Sequence, residues 1–295
     1  MAAWKGLADR NTGQRTVTEV RNMISVKDGT CVPVGEQDIY DIRFPQSQSD
    51  MAQDEAWCEV HLDGDWRRFR FHDYNEIYQI PGLYETLFYR TLRCNSPAKV
   101  VGLLSELLAE YRQSTDSIRA FDVGAGNGMV GEALQSVGIR DILGLDIIAE
   151  AKDAAIRDRP WVYNNYQVAD LTALPERVEE SIRKSESNLL MTVAALGFGD
   201  IPDPAFLKAL DLVETPAWVA FNVKEQFLDN EEADGFAGLI NKLTREKIIR
   251  IEATRRYRHR ISYLGEPLYY VAVVASKLND VPGEWLSDVP DTTAR

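Results

Sequence analysis

Three alternate glycines stand near the middle of the chain, at positions where their lack of a side chain could serve a ligand. They are Gly124, Gly126 and Gly128, and they follow a short apolar run that contains Asp122. A glycine lets the backbone approach a ligand where a Cβ would collide, and the helix predicted behind the loop offers unpaired N–H groups. The pattern therefore predicts a ligand-binding turn between a strand and a helix.

Two further acidic residues come at the ends of later predicted strands. Asp146 ends the stretch Leu143–Asp146, and Asp170 follows Gln167–Ala169. Open α/β sheets bind ligands at the carboxyl ends of their strands. A carboxylate at Asp146 can accept both ribose hydroxyls of an adenosine, and a side chain at Asp170 can reach the adenine amino group. Each acid alone is typical of a solvated loop, but the series favours an adenosine ligand.

The same loop also matches the dinucleotide pattern G-x-G-x-x-G, from Gly126 to Gly131, with Asp146 at the expected spacing. In dinucleotide sites the first glycine directly follows the strand, whereas here that residue is Gly124. Asp122 would also bring a carboxylate close to the pyrophosphate. S-adenosylmethionine has no phosphate and carries an ammonium and a sulfonium, which a carboxylate suits directly or through water. We favour this ligand, with a nicotinamide cofactor and an unliganded tight turn as the alternatives.

Around these residues, short apolar strands alternate with helices from residue 118 onwards. The predicted strands span 118–123, 141–147, 163–168, 188–195, 217–223, 248–257 and 268–276. Alternating strands and helices predict a mostly parallel sheet covered on both faces. The last two strands lack a helix between them and should run antiparallel. Helices are predicted over 83–93, behind Ser96-Pro97, and over 129–137, 150–157 and 236–245.

The N-terminal part has a different pattern. Trp57–Leu62 and Trp66–Phe71 both alternate and flank Asp63-Gly64-Asp65, which predicts a β-hairpin. The first 20 or so residues are polar and are expected to form a mobile tail or an arm. Residues 24–56 either pair with later strands or form an irregular lid.

The glycine-rich segment resembles class I S-adenosylmethionine-dependent methyltransferases. The shared phrase is Gly-x-Gly-x-Gly-Met/Leu-Val-Gly-Glu, here Gly124–Glu132, followed by Asp146 and Asp170. The closer resemblance is to the bacterial type 11/12 small-molecule enzymes and the Williams-Beuren-region group, over residues 74–277. It implies an α/β, Rossmann-like fold with a seven-stranded, mostly parallel sheet and an antiparallel C-terminal strand pair, preceded here by a β-rich N-terminal extension.

The resemblance also implies the site. The glycines would line the methionine end of the donor, Asp146 would hold the ribose, and Asp170 with Leu171 would frame the adenine. The expected donor-binding residues are Asp122, Gly124, Gly126, Gly128, Asp146, Ile147, Asp170, Leu171, Ala195 and Tyr78. The stretch 194–200 contains no Asn-Pro-Pro-Tyr, which argues against amino methylation of DNA bases or glutamine.

Few residues could act on the acceptor. His72, Asp200 and His259 are the catalytic candidates, because a general base is needed if the nucleophile arrives protonated. Four tyrosines could either pack in the core or cap the pocket: Tyr74, Tyr78, Tyr84 and Tyr89. Four arginines could either form a solvated strand edge or attract an acidic acceptor: Arg255, Arg256, Arg258 and Arg260.

Composition limits the partners. The 295-residue chain has a formal net charge of −13, which disfavours nucleic acid and anionic membranes as partners. No apolar run reaches the ~20 residues of a membrane span. The three cysteines and scarce histidines show no metal-ligand spacing. We therefore expect no metal, a cytoplasmic location and a small-molecule partner, with a homodimer as one assembly to test.

The expected organisation is an N-terminal extension over 1–73, which caps the site or forms a dimer contact, a methyltransferase domain over 74–280 and a tail over 281–295. The predicted function is methyl transfer from S-adenosylmethionine to an oxygen or nitrogen of a small molecule. A protein or peptide methyltransferase and a catalytically inactive S-adenosylmethionine-binding scaffold are the alternatives.

Overall fold

The computed structural model describes residues 24–27, 30–33, 40–45, 56–196, 201–225 and 235–287. The predicted N-terminal arm over the first 20 residues and the candidate Asp200 lie outside these ranges. The chain divides into two compact units, Met1–Ile39 and Tyr40–Arg295. In the first unit, β1 (Ile24–Lys27) and β2 (Thr30–Pro33) pair with each other as an antiparallel hairpin.

A seven-stranded sheet forms the centre of the second unit. Its strands are β6 (Arg119–Val123), β7 (Asp141–Asp146), β8 (Asn165–Val168), β9 (Leu189–Thr192), β10 (Ala217–Lys224), β11 (Ile249–Ile261) and β12 (Pro267–Lys277). Their order across the sheet is β11-β12-β10-β9-β6-β7-β8. Only β12 runs against its neighbours. The predicted Rossmann-like fold class, with its antiparallel C-terminal pair, is confirmed.

The sheet is buried on both faces, which explains its nearly continuous apolar strands. Successive residues of a strand point to opposite faces, so Phe121 packs into one core layer and Ala120 into the other. The helices that cover the faces or follow the strands are α2 (Ser96–Glu110), α3 (Met129–Ser136), α4 (Ala149–Asp158), α5 (Glu176–Arg183), α6 (Asp203–Leu212) and α7 (Phe236–Arg245). Of these, α5 and α6 were not predicted.

A second, three-stranded sheet lies in the same unit and contains the predicted hairpin. Its strands are β3 (Ile42–Arg43), β4 (Trp57–Leu62) and β5 (Asp65–Arg70). Its buried side chains Val60 and Phe69 pack with Leu83 and Leu87 of the aromatic segment that follows. The hairpin prediction is confirmed, whereas the boundary between residues 73 and 74 stays a prediction.

The segment that joins the two sheets is helical but differs from the expected single helix over 83–93. It forms α1 (Tyr74–Gln79) and then a π-helix over Glu85–Thr91. The helix predicted behind Ser96-Pro97 already begins at Ser96, with Asn95 as its N-cap residue. Ser96 is fully buried and its hydroxyl bonds elsewhere. A short helix, α8 (Gly283–Ser287), ends the described part, in which no helix is long and apolar enough to cross a membrane.

Candidate active site

A cavity of 340 Å³ opens at the carboxyl ends of the central strands, within the ~300–1,000 Å³ range of small-molecule sites. The turns after β6, β7, β8 and β9 form one part of its wall, and the aromatic segment from His72 to Tyr89 forms another. The predicted site residues that line it are His72, Tyr78, Gly124, Gly126, Asp146, Ile147, Asp170, Leu171 and Ala195. Their contact with a donor stays a prediction.

The glycine loop approaches its neighbours too closely for any side chain. Gly124 has φ +74° and Gly126 has φ +54°, a left-handed backbone that glycine tolerates best. A Cβ on Gly124 would lie 2.8 Å from the Cβ of Ala195, and a Cβ on Gly126 would lie 2.6 Å from the hydroxyl of Tyr78. The glycines are therefore required by the packing of the loop between the two parts of the wall.

Asp146 is held in place by the loop that it faces. Its Oδ2 accepts from the backbone N–H of Gly126 at 2.9 Å, and its Oδ1 accepts from that of Ile148 at 3.0 Å. Both bonds orient a carboxylate that is only 8% exposed and lines the cavity. The N–H groups of Gly124 and Ala125 both donate to the carbonyl of Leu145. These three loop amides are thus used internally, unlike the outward N–H groups of a phosphate-binding turn.

Asp170 stands at the neighbouring strand end. Its Oδ1 accepts from the backbone N–H and the hydroxyl of Thr172 at 2.8 and 2.7 Å, which caps the short 3₁₀ helix Leu171–Ala173. The side chain lines the cavity together with the apolar Ile147 and Leu171. A flat heterocycle could lie between these apolar side chains with a polar edge toward Asp170.

Asp122 and Gly128 are the two expected donor-binding residues that do not line the cavity. Asp122 is fully buried behind the loop, where Oδ2 accepts from the hydroxyl of Tyr163 at 2.8 Å. Burial raises the pKa of Asp122 to about 7, against the opposing effect of the Tyr163 hydrogen bond. The direct contact that we considered for Asp122 is therefore not what this structure shows. Its carboxyl supports the loop from below.

Two tyrosines that the sequence analysis did not single out hold the loop. Tyr163 also donates to the carbonyl of Ala125 at 3.2 Å, and Tyr166 donates to that of Gly126 at 2.8 Å. We call Asp122, Asp146, Tyr163 and Tyr166 the glycine-loop network. Tyrosine is common in buried strands, so nothing in their local pattern separates these two from packing residues.

The four clustered tyrosines, Tyr74, Tyr78, Tyr84 and Tyr89, all line the cavity. Residues at the C-terminal end of α4 anchor this wall, since Arg157 donates to the carbonyl of Tyr78 at 2.9 Å and Arg159 pairs with Glu85 at 2.7 Å. Arg159 is 7% exposed and also pairs with Glu132 of α3. These ion pairs attach the aromatic wall to the part of the fold that carries the glycine loop.

Of the three catalytic candidates, Asp200 lies outside the described residues, and only His72 of the other two lines the cavity. His72 lines the cavity, with its ring 5.5 Å from that of Tyr74. His259 is 6% exposed and does not line the cavity, so its placement gives the predicted acceptor contact no support. Its Nδ1 lies 2.6 Å from the hydroxyl oxygen of Ser96, and burial lowers its pKa to about 3.

His259 instead belongs to a buried hydrogen-bond network that supports the cavity from behind. Ser96 also contacts the hydroxyl of Tyr257 at 2.7 Å, and Asn222 donates to that hydroxyl at 2.8 Å. The Oδ1 of Asn222 then accepts from the N–H of Ala194 at 2.7 Å. We call Ser96, Asn222, Tyr257 and His259 the Ser96 network.

The Ser96 network fixes a strained turn of the cavity wall. Ala194 has φ +60° and lines the cavity, and a left-handed conformation costs a non-glycine residue about 1–2 kcal/mol. The hydrogen bond that the Ala194 N–H donates to Oδ1 of Asn222 helps to maintain that conformation. Among the described residues, no group of three or more histidine, cysteine or acidic side chains is placed to hold a metal ion.

No protein-family model and no curated protein matches this sequence. Solved structures are similar in fold. An S-adenosylmethionine-dependent methyltransferase from Anabaena variabilis is 12% identical, with 71% of this chain and 96% of that chain covered and a TM-score of 0.46. Magnesium protoporphyrin IX methyltransferase from Synechocystis, solved with S-adenosylhomocysteine, is 13% identical, with 61% and 83% covered and a TM-score of 0.41. A provisionally named RNA methyltransferase from Pyrococcus horikoshii is 14% identical, with 63% and 87% covered and a TM-score of 0.46.

Proposed function

We propose that this chain binds S-adenosylmethionine in the cavity and transfers its methyl group to an oxygen or nitrogen of a small molecule. The observation that carries the proposal is the position of Asp146 and Asp170 on the wall of one cavity beside the glycine loop. Because Asp146 occupies the N–H of Gly126, the loop suits a ligand without phosphate better than a dinucleotide. This arrangement favours the methyl donor over a nicotinamide cofactor.

Within the proposed reaction, the protein's task is positioning. Bound S-adenosylmethionine would supply a methyl group already activated by a sulfonium. Asp146 would hold the ribose, Asp170 and Leu171 the adenine, and Gly124 with Gly126 the methionine end. The tyrosine wall would exclude water and align the acceptor, and alignment can lower a barrier by about 7–11 kcal/mol. His72 would accept a proton from the nucleophile, which is worth about 10²–10⁴-fold.

An enzyme fits the cavity better than an inactive scaffold does. The space reaches from Asp170 at the predicted adenine end to His72 and Tyr89 at the aromatic wall, where the proposed acceptor would bind. A small molecule is the acceptor that we favour over nucleic acid, because the chain has a net charge of −13. The cytoplasmic location and the homodimer remain predictions.

Calorimetric titration with S-adenosylmethionine and S-adenosylhomocysteine tests the proposal. We expect wild type to bind both, and Asp146→Ala and Asp146→Asn to bind at least tenfold more weakly. Asp141→Ala is the matched control, because Asp141 is exposed at the opposite end of the same strand. It should bind like wild type. Wild-type binding of NADH without either adenosyl compound would overturn the proposal.

A further inference from the structure

The aromatic wall stands next to the part of the glycine loop that would hold the methionine end of the donor. A Cβ on Gly126 would meet the hydroxyl of Tyr78 at 2.6 Å, whereas a Cβ on Gly124 would meet Ala195 at 2.8 Å and Ile201 at 3.4 Å. The loop is thus flanked by an aromatic side and an apolar side of the same cavity. In the proposed reaction, an acceptor that reaches the methyl group would contact the aromatic side.

Five ring side chains form the aromatic side, and four of them are tyrosines of one connected cluster. The ring centre of Tyr84 lies 4.8 Å from that of Tyr78 and 6.0 Å from that of Tyr89. The ring centre of Tyr74 lies 6.5 Å from that of Tyr84 and 5.5 Å from that of His72. All five line the cavity, and all but Tyr78 are only partly buried. A molecule in this part of the cavity would therefore contact ring surface.

The described lining of the cavity offers no cation to an anionic acceptor. It contains no lysine or arginine among the residues that the structure describes, and its acids are Asp146 and Asp170. The arginines of β11, which could have attracted an acid, do not line it, and Arg255 instead forms a two-pronged ion pair with Glu106. An anionic acceptor would thus lose its hydration without gaining a counter-ion, which is costly.

A cationic acceptor is disfavoured by the donor itself. The sulfonium would lie in the same cavity, and two like charges close together repel each other strongly away from bulk water. The tyrosines supply no compensating anion, because burial raises the pKa of Tyr78, Tyr84 and Tyr89 and keeps their hydroxyls uncharged. In the proposed complex, Asp146 and Asp170 are taken up by the ribose and the adenine.

We propose that the acceptor is an uncharged aromatic molecule whose ring packs against Tyr84 and Tyr89, with its hydroxyl or amine turned toward the methyl group. This inference rests on the proposed methyltransferase function and specifies its substrate class. Aromatic pairs gain from edge-to-face or offset contacts beyond the apolar area that they bury, so the wall would prefer a flat ring to a saturated one. The new O–C or N–C bond forms as the C–S bond breaks, the sulfur keeps the electron pair, and the proton of the nucleophile goes to His72.

Calorimetric titration of the protein saturated with S-adenosylhomocysteine tests this assignment. The probes at neutral pH are 2-naphthol, its saturated counterpart decahydro-2-naphthol, the anion 2-naphthoate and the cation 2-naphthylmethylammonium. We expect wild type to bind 2-naphthol at least tenfold more tightly than the saturated alcohol and the anion. With sinefungin, an adenosyl analogue that carries an ammonium in place of the methylsulfonium, it should also bind 2-naphthol at least tenfold more tightly than the cation.

Replacement of Tyr89 separates the contribution of the ring from that of its hydroxyl. Tyr89→Leu should lose the preference for 2-naphthol over decahydro-2-naphthol, whereas Tyr89→Phe, which keeps the ring, should retain it. Tyr111→Leu is the matched control, because Tyr111 is 51% exposed, follows α2 and packs on Trp218 outside the cavity wall. It should bind all four probes like wild type.

Equal affinity of wild type for 2-naphthol and its saturated counterpart, or tighter binding of the anion or the cation, would overturn the inference. Absent binding of 2-naphthol by wild type, or an aromatic preference that survives in Tyr89→Leu, would do so too. The wild-type comparisons hold whether or not Tyr89→Leu folds, and its S-adenosylhomocysteine affinity, expected within threefold of wild type, reports on its fold. Failure of the methyltransferase proposal would show separately, as absent S-adenosylhomocysteine binding in wild type.

Discussion

The glycine-loop network and the Ser96 network both support one wall of the same cavity, but they are assembled at different ranges along the chain. In the first, Asp146 lies 20 residues from its partner Gly126, and Tyr163 lies 41 residues from Asp122. In the second, Ser96 lies 161 residues from Tyr257 and 126 from Asn222. The glycine loop is thus held within one contiguous segment, whereas the turn at Ala194 is fixed only once distant strands have paired.

The two networks also contain one titratable group each whose pKa is shifted in opposite directions. Burial raises the pKa of Asp122 to about 7 and lowers that of His259 to about 3. Both shifts favour the uncharged form, because each group lies in a low-dielectric interior without a counter-ion. Protonation of His259 at low pH should therefore destabilise the Ser96 network, and ionisation of Asp122 at high pH should destabilise the glycine-loop network. Mutations can separate the two regions by stability, by ligand affinity and by pH.

The largest expected effect comes from Gly124→Ala on the donor side. The new Cβ would lie 2.8 Å from that of Ala195 at φ +74°, and such overpacking with left-handed strain costs about 2–5 kcal/mol in total. We expect more than a hundredfold loss of S-adenosylhomocysteine affinity by calorimetry. Gly265→Ala is the control, since its φ is +85° but no atom lies within 4 Å of the added Cβ. Equal losses in the two variants would mean that backbone strain, and not close approach, governs the loop.

The next largest effect is expected from Asn222→Leu, which disrupts the Ser96 network. The leucine removes the hydrogen-bond partner of the Ala194 N–H and one partner of the Tyr257 hydroxyl. The free energy of unfolding should fall by about 2–4 kcal/mol. Urea denaturation measures this loss. Donor affinity should change less than fivefold. A donor affinity as poor as that of Gly124→Ala would show that the two regions are not separable.

Asn188→Leu serves as the matched control for that variant. Asn188 also makes two bonds through its amide, to the N–H of Arg119 and the carbonyl of Ser117, but it precedes β9 at the opposite edge of the sheet. Its replacement should destabilise the fold without altering ligand binding. Any change in ligand binding confined to Asn222→Leu would then belong to the turn at Ala194.

This contrast also explains what could be predicted from the sequence. The strand–helix alternation and the loop from Gly124 to Gly128 depend on neighbours along the chain, so both were recognised. Asp146 and Asp170 were placed because parallel strands end at one edge. Asn222 gave no signal, since its partner Ser96 is 126 residues away.

The end of β11 shows a second reason for missed residues. The strand was expected to end at 257 and continues to Ile261. A β-bulge between Arg258 and Arg260 breaks the alternation there, so His259 and Arg260 are both buried while the surrounding charged residues resemble a solvated edge. A break in the alternation of buried and exposed residues cannot be recognised from one strand's sequence, because the bulge is defined by the pairing with β12. Alternation alone places His259 inside, next to Ser96, and the bulge brings Arg260 inside as well.

The pH dependence of His259 should be visible on the acid side. The unfolded group has a pKa of 6.5 and the folded one about 3, so the unfolded state binds the extra proton between these values. The free energy of unfolding should then fall as the pH decreases from 6.5, by up to about 1.4 kcal/mol per pH unit. His259→Gln should flatten this slope in urea denaturation between pH 4.5 and 6.5. An unchanged slope would contradict the burial of a neutral imidazole.

Asp122 should show a slope of the opposite sign. Its pKa is 3.8 when unfolded and about 7 when folded, so here the folded state holds the extra proton. The contribution of Asp122 to stability should be greatest below pH 4 and fall as the pH rises toward 7, by up to about 1.4 kcal/mol per unit. Asp122→Asn cannot ionise and should remove this loss, which makes the variant more stable relative to wild type at pH 7.5 than at pH 4.5. If the variant has the same stability relative to wild type at pH 4.5 and at pH 7.5, Asp122 ionises freely behind the loop. The predicted contrast between the pH dependences of the two networks would then be wrong.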